Sequence, residues 1–296
     1  MAGALRVATR GSSLARWQAN RVVSLLDTEA ELVIVSTTGD QRSDTPLHQL
    51  GGVGVFVKEV SDAVLEGRAD CAVHSAKDLP SETAEGLVLA AVPERADPRD
   101  ALVGCTLAEL PAGAVVATGS VRRRAQLAAL RDDLLFAELR GNLDTRLEKA
   151  AGFDAIVVAM AALIRLGETA WAAEVLDPEL MLPQVGQGAL AIECRADDAS
   201  TRSILRGIDD PIVHGALIAE RAFLAQIGGG CDQPVGAYAT VEADGTVTID
   251  ALIASIDGRV VVRSQVIGDD ALSVGREAAT QLLDHHGGRA LLEDAR

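Results

Sequence analysis

The segment AVHSAKDLP, residues 72–80, marks the point where an apolar strand pattern gives way to polar, chemically capable side chains. The apolar run begins at Cys71 and predicts a short strand, which Pro80 ends because proline fixes φ and donates no backbone hydrogen bond. Lys77 and Asp78 therefore follow the carboxyl end of a strand, where open α/β sheets bind their ligands. Taken alone, the pair is more typical of a solvated turn, since exposed charge pairs are common and mostly inert.

Strand and helix patterns alternate on the amino-terminal side of this segment. Strands are predicted at Leu5–Thr9, Glu31–Ser36 and Asp70–Ser75, with an amphipathic helix from Leu14 and another at Val57–Gly67 between them. Strand–helix–strand passages of this length predict parallel strands with helical crossovers, and hence an α/β fold.

The first strand leads directly into a possible anion-binding corner. Gly11 and a capping Ser12 or Ser13 lie between the strand and the helix, so free backbone amides and the helix dipole point outward there. A plain capped turn has the same sequence. Arg10 beside the turn favours a carboxylate ligand.

Two Pro- or Gly-rich links surround a second α/β unit. The first is Pro93–Asp100, with two prolines and a dense run of charges, and the second is Leu182–Gly188. The strand predicted at Ala189–Cys194 would return the chain to the first sheet. Two crossings between similar α/β units are typical of hinged two-lobed binding proteins, which hold their ligand in the cleft.

The carboxyl-terminal part predicts a small α+β domain. A helix at Pro211–Ile227 is followed by antiparallel strands at Val235–Val241, Thr246–Ser255 and Val260–Val266, and by a covering helix at Asp270–His285. The predicted fold is thus α/β, with two periplasmic-binding-protein-like lobes joined by a double hinge and a small C-terminal α+β domain with an antiparallel sheet. The predicted boundaries are 1–93 with 189–208 for domain 1, 94–188 for domain 2, and 209–296 for domain 3.

Composition limits the possible partners. The 296 residues carry a formal charge of −16, which argues against non-specific nucleic-acid binding and requires any anion site to be a local basic pocket. No apolar run reaches the length of a membrane span, and we expect no signal peptide. The four cysteines form no CxxC pair, so no metal site is predicted. We expect a cytoplasmic protein that binds neither nucleic acid nor membrane.

Arginines follow several predicted strands of the second unit. Arg122 and Arg123 occupy the first turn of a helix after Ser120, although the helix dipole disfavours cations there. Arg140 ends the next strand, and Arg146 lies in the following helix. If the strands are parallel, these side chains converge on one rim, where guanidinium groups bind carboxylates bidentately. A solvated basic face would explain a single such cluster, but their repetition at strand ends favours an anionic ligand.

Cys231 follows three glycines, Gly228–Gly230, and is poorly placed for core packing. A reactive or modified thiol and an ordinary one are equally compatible with this position. A catalytic Cys-His pair is not supported, because no histidine lies near it in sequence.

Eight segments in order give the chain a specific resemblance. It resembles the porphobilinogen deaminase (hydroxymethylbilane synthase) family of tetrapyrrole biosynthesis over nearly its whole length. The segments are RVATRGSSLARWQA at 6–19, VFVKE at 55–59, AVHSAKDLP at 72–80, ERADPRDAL at 94–102, TGSVRRRAQL at 118–127, LRGNLDTRL at 139–147, LPQVGQGALAIECR at 182–195 and GGGCDQPVG at 228–236.

The resemblance implies a chemistry. It implies a transferase that joins four porphobilinogens head to tail on a dipyrromethane cofactor, releases ammonia at each addition, and hydrolyses off the linear tetrapyrrole, acting as a monomer. By the resemblance, a thioether at Cys231 anchors the cofactor. Asp78 acts as general acid, counter-ion to the cation left by deamination, and acceptor of the ring proton.

The resemblance also implies two sets of contacts. The cofactor-binding residues would be Ser12, Ser75, Lys77, Asp78, Ser120, Arg122, Arg123, Gly141 and Arg146, together with Cys231. The substrate-binding residues would be Arg10, Arg140, Arg146, Arg165 and Gln187.

Two positions depart from the family pattern. Val53, in the glycine flap Gly51–Gly54, stands where the family commonly has lysine, and Gly119 stands where a serine is frequent. Two alternatives remain: a noncatalytic two-lobed dicarboxylate-binding protein, which gives Cys231 no role, and a degenerate paralogue without activity, supported by Val53 alone.

Overall fold

The structure, a computed structural model, describes residues 3–37, 57–229 and 233–293. The predicted glycine flap with Val53, and Cys231 itself, lie outside the described residues. The described strands form two five-stranded mixed sheets and one three-stranded antiparallel sheet. The strands are β1 Leu5–Arg10, β2 Ala30–Val35, β3 Cys71–Ser75, β4 Leu87–Ala91, β5 Asp100–Val103, β6 Val115–Ala117, β7 Leu135–Ala137, β8 Ala155–Ala159, β9 Ala172–Leu176, β10 Leu190–Arg195, β11 Val235–Val241, β12 Val247–Ala254 and β13 Val261–Gly268.

Helices connect most of these strands, as the alternating sequence pattern predicts. In the part of the chain that is described they are α1 Ser13–Leu25, α2 Lys58–Leu65, α3 Val121–Leu130, α4 Leu143–Lys149, α5 Met160–Leu166, α6 Ala199–Arg206, α7 Pro211–Ile227, α8 Ala271–Thr280 and α9 Gly288–Glu293.

The first sheet forms lobe 1 and has the strand order β2-β1-β3-β10-β4. β1 pairs in parallel with β2 and β3, whereas β10 runs antiparallel to β3 and β4. All but the last residue of β10 are buried, as an inner strand covered on both faces requires. The prediction that this segment returns to the first sheet is confirmed.

The second sheet forms lobe 2 and repeats this order, as β7-β6-β8-β5-β9. Here β6 pairs in parallel with β7 and β8, and β5 is the antiparallel strand. In each lobe, therefore, the first strand after a crossing from the other lobe inserts antiparallel at the fourth position. This shared order is the α/β two-lobed architecture that the sequence predicts.

The third sheet, β11-β12-β13, is antiparallel throughout and packs against α7 and α8. Asp210 caps α7 by accepting from the Ile212 and Val213 amides, with Pro211 in the first turn, and Gly228 ends the helix at φ +70°. Phe223 of α7 is fully buried against this sheet in an otherwise aliphatic core. The predicted C-terminal α+β unit is present.

Most element bounds agree with the sequence predictions to a residue or two, and for α7 and β11 they coincide. The helix predicted at Asp270–His285 is α-helical as far as Thr280 and continues as a π-helix over Gln281–His285. Strands β5 and β9 are not among the sequence predictions. The predicted charged link includes Asp100, the first residue of β5, and the alanines of β9 (AAEVL) favour a helical interpretation. β5 takes its place by pairing with β8 and β9, and β9 by pairing with β5, which local sequence does not encode.

Candidate active site

Lys77 and Asp78 lie in a single 3₁₀ turn, Ala76–Asp78, directly at the end of β3. Side chains from distant segments donate hydrogen bonds to backbone carbonyls of this turn and of Pro80 just after it. The Gln184 side-chain amide donates to the Lys77 carbonyl at 3.1 Å, and Arg221 of α7 donates to the Pro80 carbonyl at 2.8 Å. Gly186 packs so closely that a Cβ there would lie 2.8 Å from the Ala76 carbonyl carbon, and its φ is +72°. The turn is therefore fixed from both sides.

The turn opens onto a cavity between the two lobes, with about 1030 Å³ of empty space counted to its open mouth. Four cationic side chains and one carboxylate line the described part of its wall, within a protein of net charge −16. This local reversal of charge favours a polyanionic ligand. The predicted site residues in the wall are Arg10, Ser12, Ser75, Lys77, Asp78, Arg123, Gly141 and Arg146.

Lobe 1 supplies a hydroxyl-rich wall. Ser12 caps α1 by accepting from the Ala15 amide at 3.3 Å, so the predicted corner after β1 exists. Gln18, one turn along α1, donates to the Ser75 hydroxyl at 2.7 Å and thereby ties the helix to the end of β3. Sequence reasoning missed Gln18, although its place on the buried face of α1 is a usable signal.

Lobe 2 supplies arginines. Arg146 of α4 donates to the Gly141 carbonyl at 2.8 Å, and Gly141 has φ +117°, a conformation that favours glycine. Burial, with the nearby charges of Arg123 and Arg140, lowers the pKa of Arg146 to about 10, while Asp78 acts in the opposite direction. Arg146 is therefore a charged group whose own protein environment leaves it short of negative charge, as expected of a carboxylate-binding residue.

Lys77 also has a lowered pKa. Burial is the main cause that lowers the pKa of its ammonium group to about 8, and Arg123 adds to it, whereas Asp78 and Asp100 oppose the shift. Its Nζ donates to the Gln187 side-chain oxygen at 3.3 Å.

Behind the wall lies a buried ionic cluster. Asp100 is fully buried and accepts from Arg122 Nη2 at 2.7 Å and from Arg123 Nε and Nη2 at 3.0 and 2.7 Å. Gln187 donates to the same carboxylate at 2.8 Å. Burial alone would raise the pKa of Asp100, but the two guanidinium groups hold it well below its usual range. Sequence reasoning missed Asp100, whose signal is a carboxylate opening an apolar strand.

The structure thus divides the predicted arginine rim. Arg123 and Arg146 line the cavity. Arg122 turns away to a second, smaller cavity that Ser120, Gln184 and Gln233 also line. Gln233, which lines this cavity together with Ser120 of lobe 2, lies two residues after Cys231 in the sequence.

Three other predicted residues lie outside the described wall of the main cavity. Arg140 follows β7, near enough to Arg146 for the two charges to interact. Arg165 is buried, donates to the Gly188 carbonyl at 2.6 Å, and lies over the Trp17 ring. Gln187 is fully buried and also donates to the Pro98 carbonyl at 2.7 Å. Arg165 and Gln187 therefore contact the interlobe links rather than the cavity.

Two further buried charge clusters were not predicted from the sequence. Glu220 accepts from Arg95 Nη1 at 2.6 Å and from the Gly186 and Ala239 amides at 2.6 and 2.8 Å. His74 lies 3.2 Å from Glu193 across the β3–β10 pair. Their partners are distant in sequence, so no local pattern reports them.

No group of three or more His, Cys, Asp or Glu side chains in the described ranges has the arrangement of a metal site. None of the helices described is both long and apolar enough to cross a membrane.

Fold and site together define a class: a two-lobed α/β protein with a cation-lined cleft for a polycarboxylate, and a third small domain. Two family models match the chain, "Porphobilinogen deaminase, dipyromethane cofactor binding domain" over residues 5–203 and "Porphobilinogen deaminase, C-terminal domain" over residues 215–284. The chain belongs to the porphobilinogen deaminase family, and its cofactor is a dipyrromethane.

Similar proteins agree along the full length. The porphobilinogen deaminase of Acidothermus cellulolyticus is 49% identical over 94% of this chain and 88% of its own. The porphobilinogen deaminase of Roseiflexus castenholzii is 46% identical over 99% of both chains. Among solved structures, a periplasmic sulfonate-binding protein from Methylobacillus flagellatus has a TM-score of 0.38 at 12% identity, covering 76% of this chain and 68% of its own. A score this low carries no argument, and the fold class rests on the strand order.

The cavity fits the cofactor. A dipyrromethane built from porphobilinogen bears acetate and propionate groups, so it needs several cationic or hydroxyl donors around two rings. Lys77, Arg123 and Arg146 supply cations, and Ser12 and Ser75 supply hydroxyls. Burial lowers the pKa of both Lys77 and Arg146, and a carboxylate bound in the cavity would oppose that shift.

Proposed function

We propose that this chain is a hydroxymethylbilane synthase. It joins four porphobilinogen molecules head to tail onto a covalently held dipyrromethane, releases one ammonia at each addition, and hydrolyses off the linear tetrapyrrole. The observation that carries the proposal is the cavity at the end of β3, in whose described wall one carboxylate, Asp78, lies among four cationic side chains.

Asp78 is the proposed catalytic residue. Loss of ammonia from porphobilinogen requires a proton on the leaving amine, which the protonated Asp78 carboxyl group donates as general acid. The carboxylate that remains stabilises the cation left on the substrate, since it is a preorganised negative charge in a partly enclosed site. The same carboxylate would accept the proton that the attacking pyrrole ring loses when the new carbon–carbon bond forms.

The cationic residues bind and orient. Arg123, Arg146 and Lys77 hold carboxylates of the cofactor, with Ser12, Ser75 and Gly141 as neighbouring polar groups. Ser120 and Arg122 contact it from the second cavity, and Cys231 anchors it through a thioether. When bound, the dipyrromethane supplies the terminal pyrrole carbon on which the chain grows.

Arg10 and Arg140, with Arg146, are the proposed contacts for substrate carboxylates. Arg165 and Gln187 are also proposed substrate contacts. Each bonds to an interlobe link, and Gln187 accepts from Lys77 of the cavity wall.

We propose the domain division 1–93 with 189–208, 94–188, and 209–296, supported by the separate sheets and by the two crossings near Pro93 and Gly188. The chain is proposed to be a cytoplasmic monomer that binds neither nucleic acid nor membrane, in keeping with its net charge of −16. A noncatalytic dicarboxylate-binding protein is not favoured, since the family match extends through the C-terminal domain.

Product stoichiometry tests the activity. Incubation of the purified chain with porphobilinogen should release four ammonia molecules for each linear tetrapyrrole formed. Binding of porphobilinogen without ammonia release would support the dicarboxylate-binding alternative and contradict the proposal.

A further inference from the structure

Asp100 is a fully buried carboxylate on the first residue of β5, at the point where the chain enters lobe 2. Its Oδ1 accepts from Arg123 and from the Gln187 side-chain amide, and its Oδ2 accepts from Arg122 at 2.7 Å. A buried charge of this kind is tolerated only because its partners satisfy it. One of these partners, Arg123, also lines the cavity.

Gln187 extends this cluster into lobe 1. Its side-chain nitrogen donates to Asp100 at 2.8 Å, and its side-chain oxygen accepts from Lys77 Nζ at 3.3 Å. Gln187 is fully buried, and a further bond to the Pro98 carbonyl at 2.7 Å fixes the orientation of its amide. A continuous hydrogen-bonded chain therefore runs from Lys77 through Gln187 and Asp100 to Arg123.

We propose that Asp100 is a positioning residue for the reaction site. Directly, it holds the Arg123 guanidinium, and through Gln187 it holds the Lys77 ammonium. One buried carboxylate in lobe 2 thereby sets the places of two cations that face the cavity from opposite lobes. Asp100 itself does not line the cavity in the described structure.

Charge supports the geometry. The charged groups that act on Lys77 include Asp78 beside it, Arg123 of α3, Arg146 of α4 and Asp100 of β5. The two arginines disfavour the ammonium, and the two carboxylates favour it. Removing the charge of Asp100 takes a buried carboxylate partner from Arg122 and Arg123 and removes a negative charge that favours the Lys77 ammonium.

The importance of Lys77 rests on the proposed function, but its ionisation can be measured without substrate. The test follows acylation of Lys77 by acetic anhydride as a function of pH, quantified by peptide mass spectrometry. It uses the full chain as purified and the Cys231→Ser chain, and exposed Lys58 serves as the internal reference. Asp100→Asn is compared with Asp97→Asn, a carboxylate three residues away that pairs with Arg99 instead.

In the wild type, half-maximal labelling of Lys77 is expected near pH 8. Asp100→Asn should lower that midpoint by about two to three pH units, the size expected for losing one charge about 4–6 Å away at an effective dielectric constant of about 20. It should also raise KM for porphobilinogen. Asp97→Asn should leave both quantities at the wild-type values.

A second variant keeps the proposal testable if Asp100→Asn does not fold. Gln187→Met keeps the length of the side chain and leaves the Asp100–arginine pairs intact, but it breaks the link to Lys77. Labelling of Lys77 at pH 7 should become about three- to tenfold faster, as expected for the loss of one hydrogen bond. If Asp100→Asn does not fold, this variant alone decides.

Wild-type labelling of Lys77 in both Gln187→Met and Asp100→Asn, or in Gln187→Met alone if only that variant folds, would overturn the positioning role. A purely structural role would lower the thermal midpoint without moving the pH midpoint of Lys77. The experiment distinguishes failure of the proposed activity from failure of the positioning role. Normal tetrapyrrole formation by the wild type, with wild-type Lys77 labelling in the variants, contradicts only the role of Asp100. Shifted labelling without tetrapyrrole formation contradicts only the proposed activity.

Discussion

Asp78 is the residue on which the proposed chemistry depends, because it is the sole carboxylate in the described wall of the cavity. Asp78→Asn keeps the shape of the side chain but removes both the acid and the negative charge. We expect kcat to fall by about 10²–10⁴-fold, the usual contribution of a general acid. Steady-state kinetics measure this loss, and intact mass should show that the cofactor remains attached.

Asp132→Asn, the same substitution at an exposed aspartate, is the matched control and should retain wild-type kcat. Near-normal turnover of Asp78→Asn would remove Asp78 from the mechanism, and loss of the cofactor mass would instead assign it to cofactor assembly.

The lowered pKa of Lys77 predicts that kcat/KM depends on pH. Its pKa of about 8 lies below the ordinary lysine value, so the ammonium is present below that pH and is lost above it. Binding of carboxylates should therefore weaken as the pH rises through about 8, visible as a basic limb in the pH profile of kcat/KM. Lys77→Arg keeps a cation at high pH and should move the limb upward. An unchanged limb in that variant would assign it to another group.

For individual residues, the sequence predicts those site residues that directly follow a strand, such as Lys77 and Asp78 before Pro80. It does not show Asp100 or Glu220. Their function depends on arginines that lie 22 to 125 residues away in sequence, and only the folded structure brings them together.

Among the elements, α7 joins the two interlobe links to the third sheet. Its Glu220 is fully buried and bonds Arg95 of the first link, Gly186 of the second and Ala239 of β11. Removing one partner of a buried ion pair costs about 3–5 kcal/mol, because the other charge is left uncompensated. Glu220→Ala should therefore lower the free energy of unfolding by about that amount in urea denaturation followed by circular dichroism.

Glu277→Ala, on the exposed face of α8, removes one hydrogen bond to Gln281 and should change the unfolding free energy by less than about 1 kcal/mol. Equal stability of the two variants would show that Glu220 does not tie the links to α7.

The α7–α8 pair depends on a small residue at the crossing. A Cβ at Gly275 would collide with the Ala219 carbonyl oxygen and lie 2.9 Å from the Ala222 Cβ. Gly275→Ala should lower the thermal midpoint by several degrees through overpacking. Gly152→Ala, where a Cβ meets nothing within 4 Å, is the control. A midpoint for Gly275→Ala equal to that of Gly152→Ala would contradict close packing of these helices.

Elements whose ends carry local sequence signals were predictable, among them α7, which begins at Pro211 after the capping Asp210 and ends at a glycine. β5 and β9 were not, because each is a short strand specified by its neighbours in the second sheet.

In the whole molecule, the chain crosses twice between two lobes that share one strand order. The cleft between these lobes is lined by cations, although the protein has a net charge of −16. The sequence predicted this architecture because the Pro- and Gly-rich links and the strand–helix alternation are local signals. It did not predict that Arg122 and Arg123 would neutralise Asp100 in the interior, which required the partner strand β5.

The central claim is that porphobilinogen units are added one at a time to a group carried by Cys231. Intact mass spectrometry of the chain, taken after addition of limiting porphobilinogen, tests it most directly. We predict a starting mass above that of the sequence by a two-pyrrole group, and then a ladder whose steps each equal porphobilinogen minus ammonia. Cys231→Ser should show neither the excess nor the ladder. A single mass equal to that of the sequence, unchanged by porphobilinogen, would contradict the account.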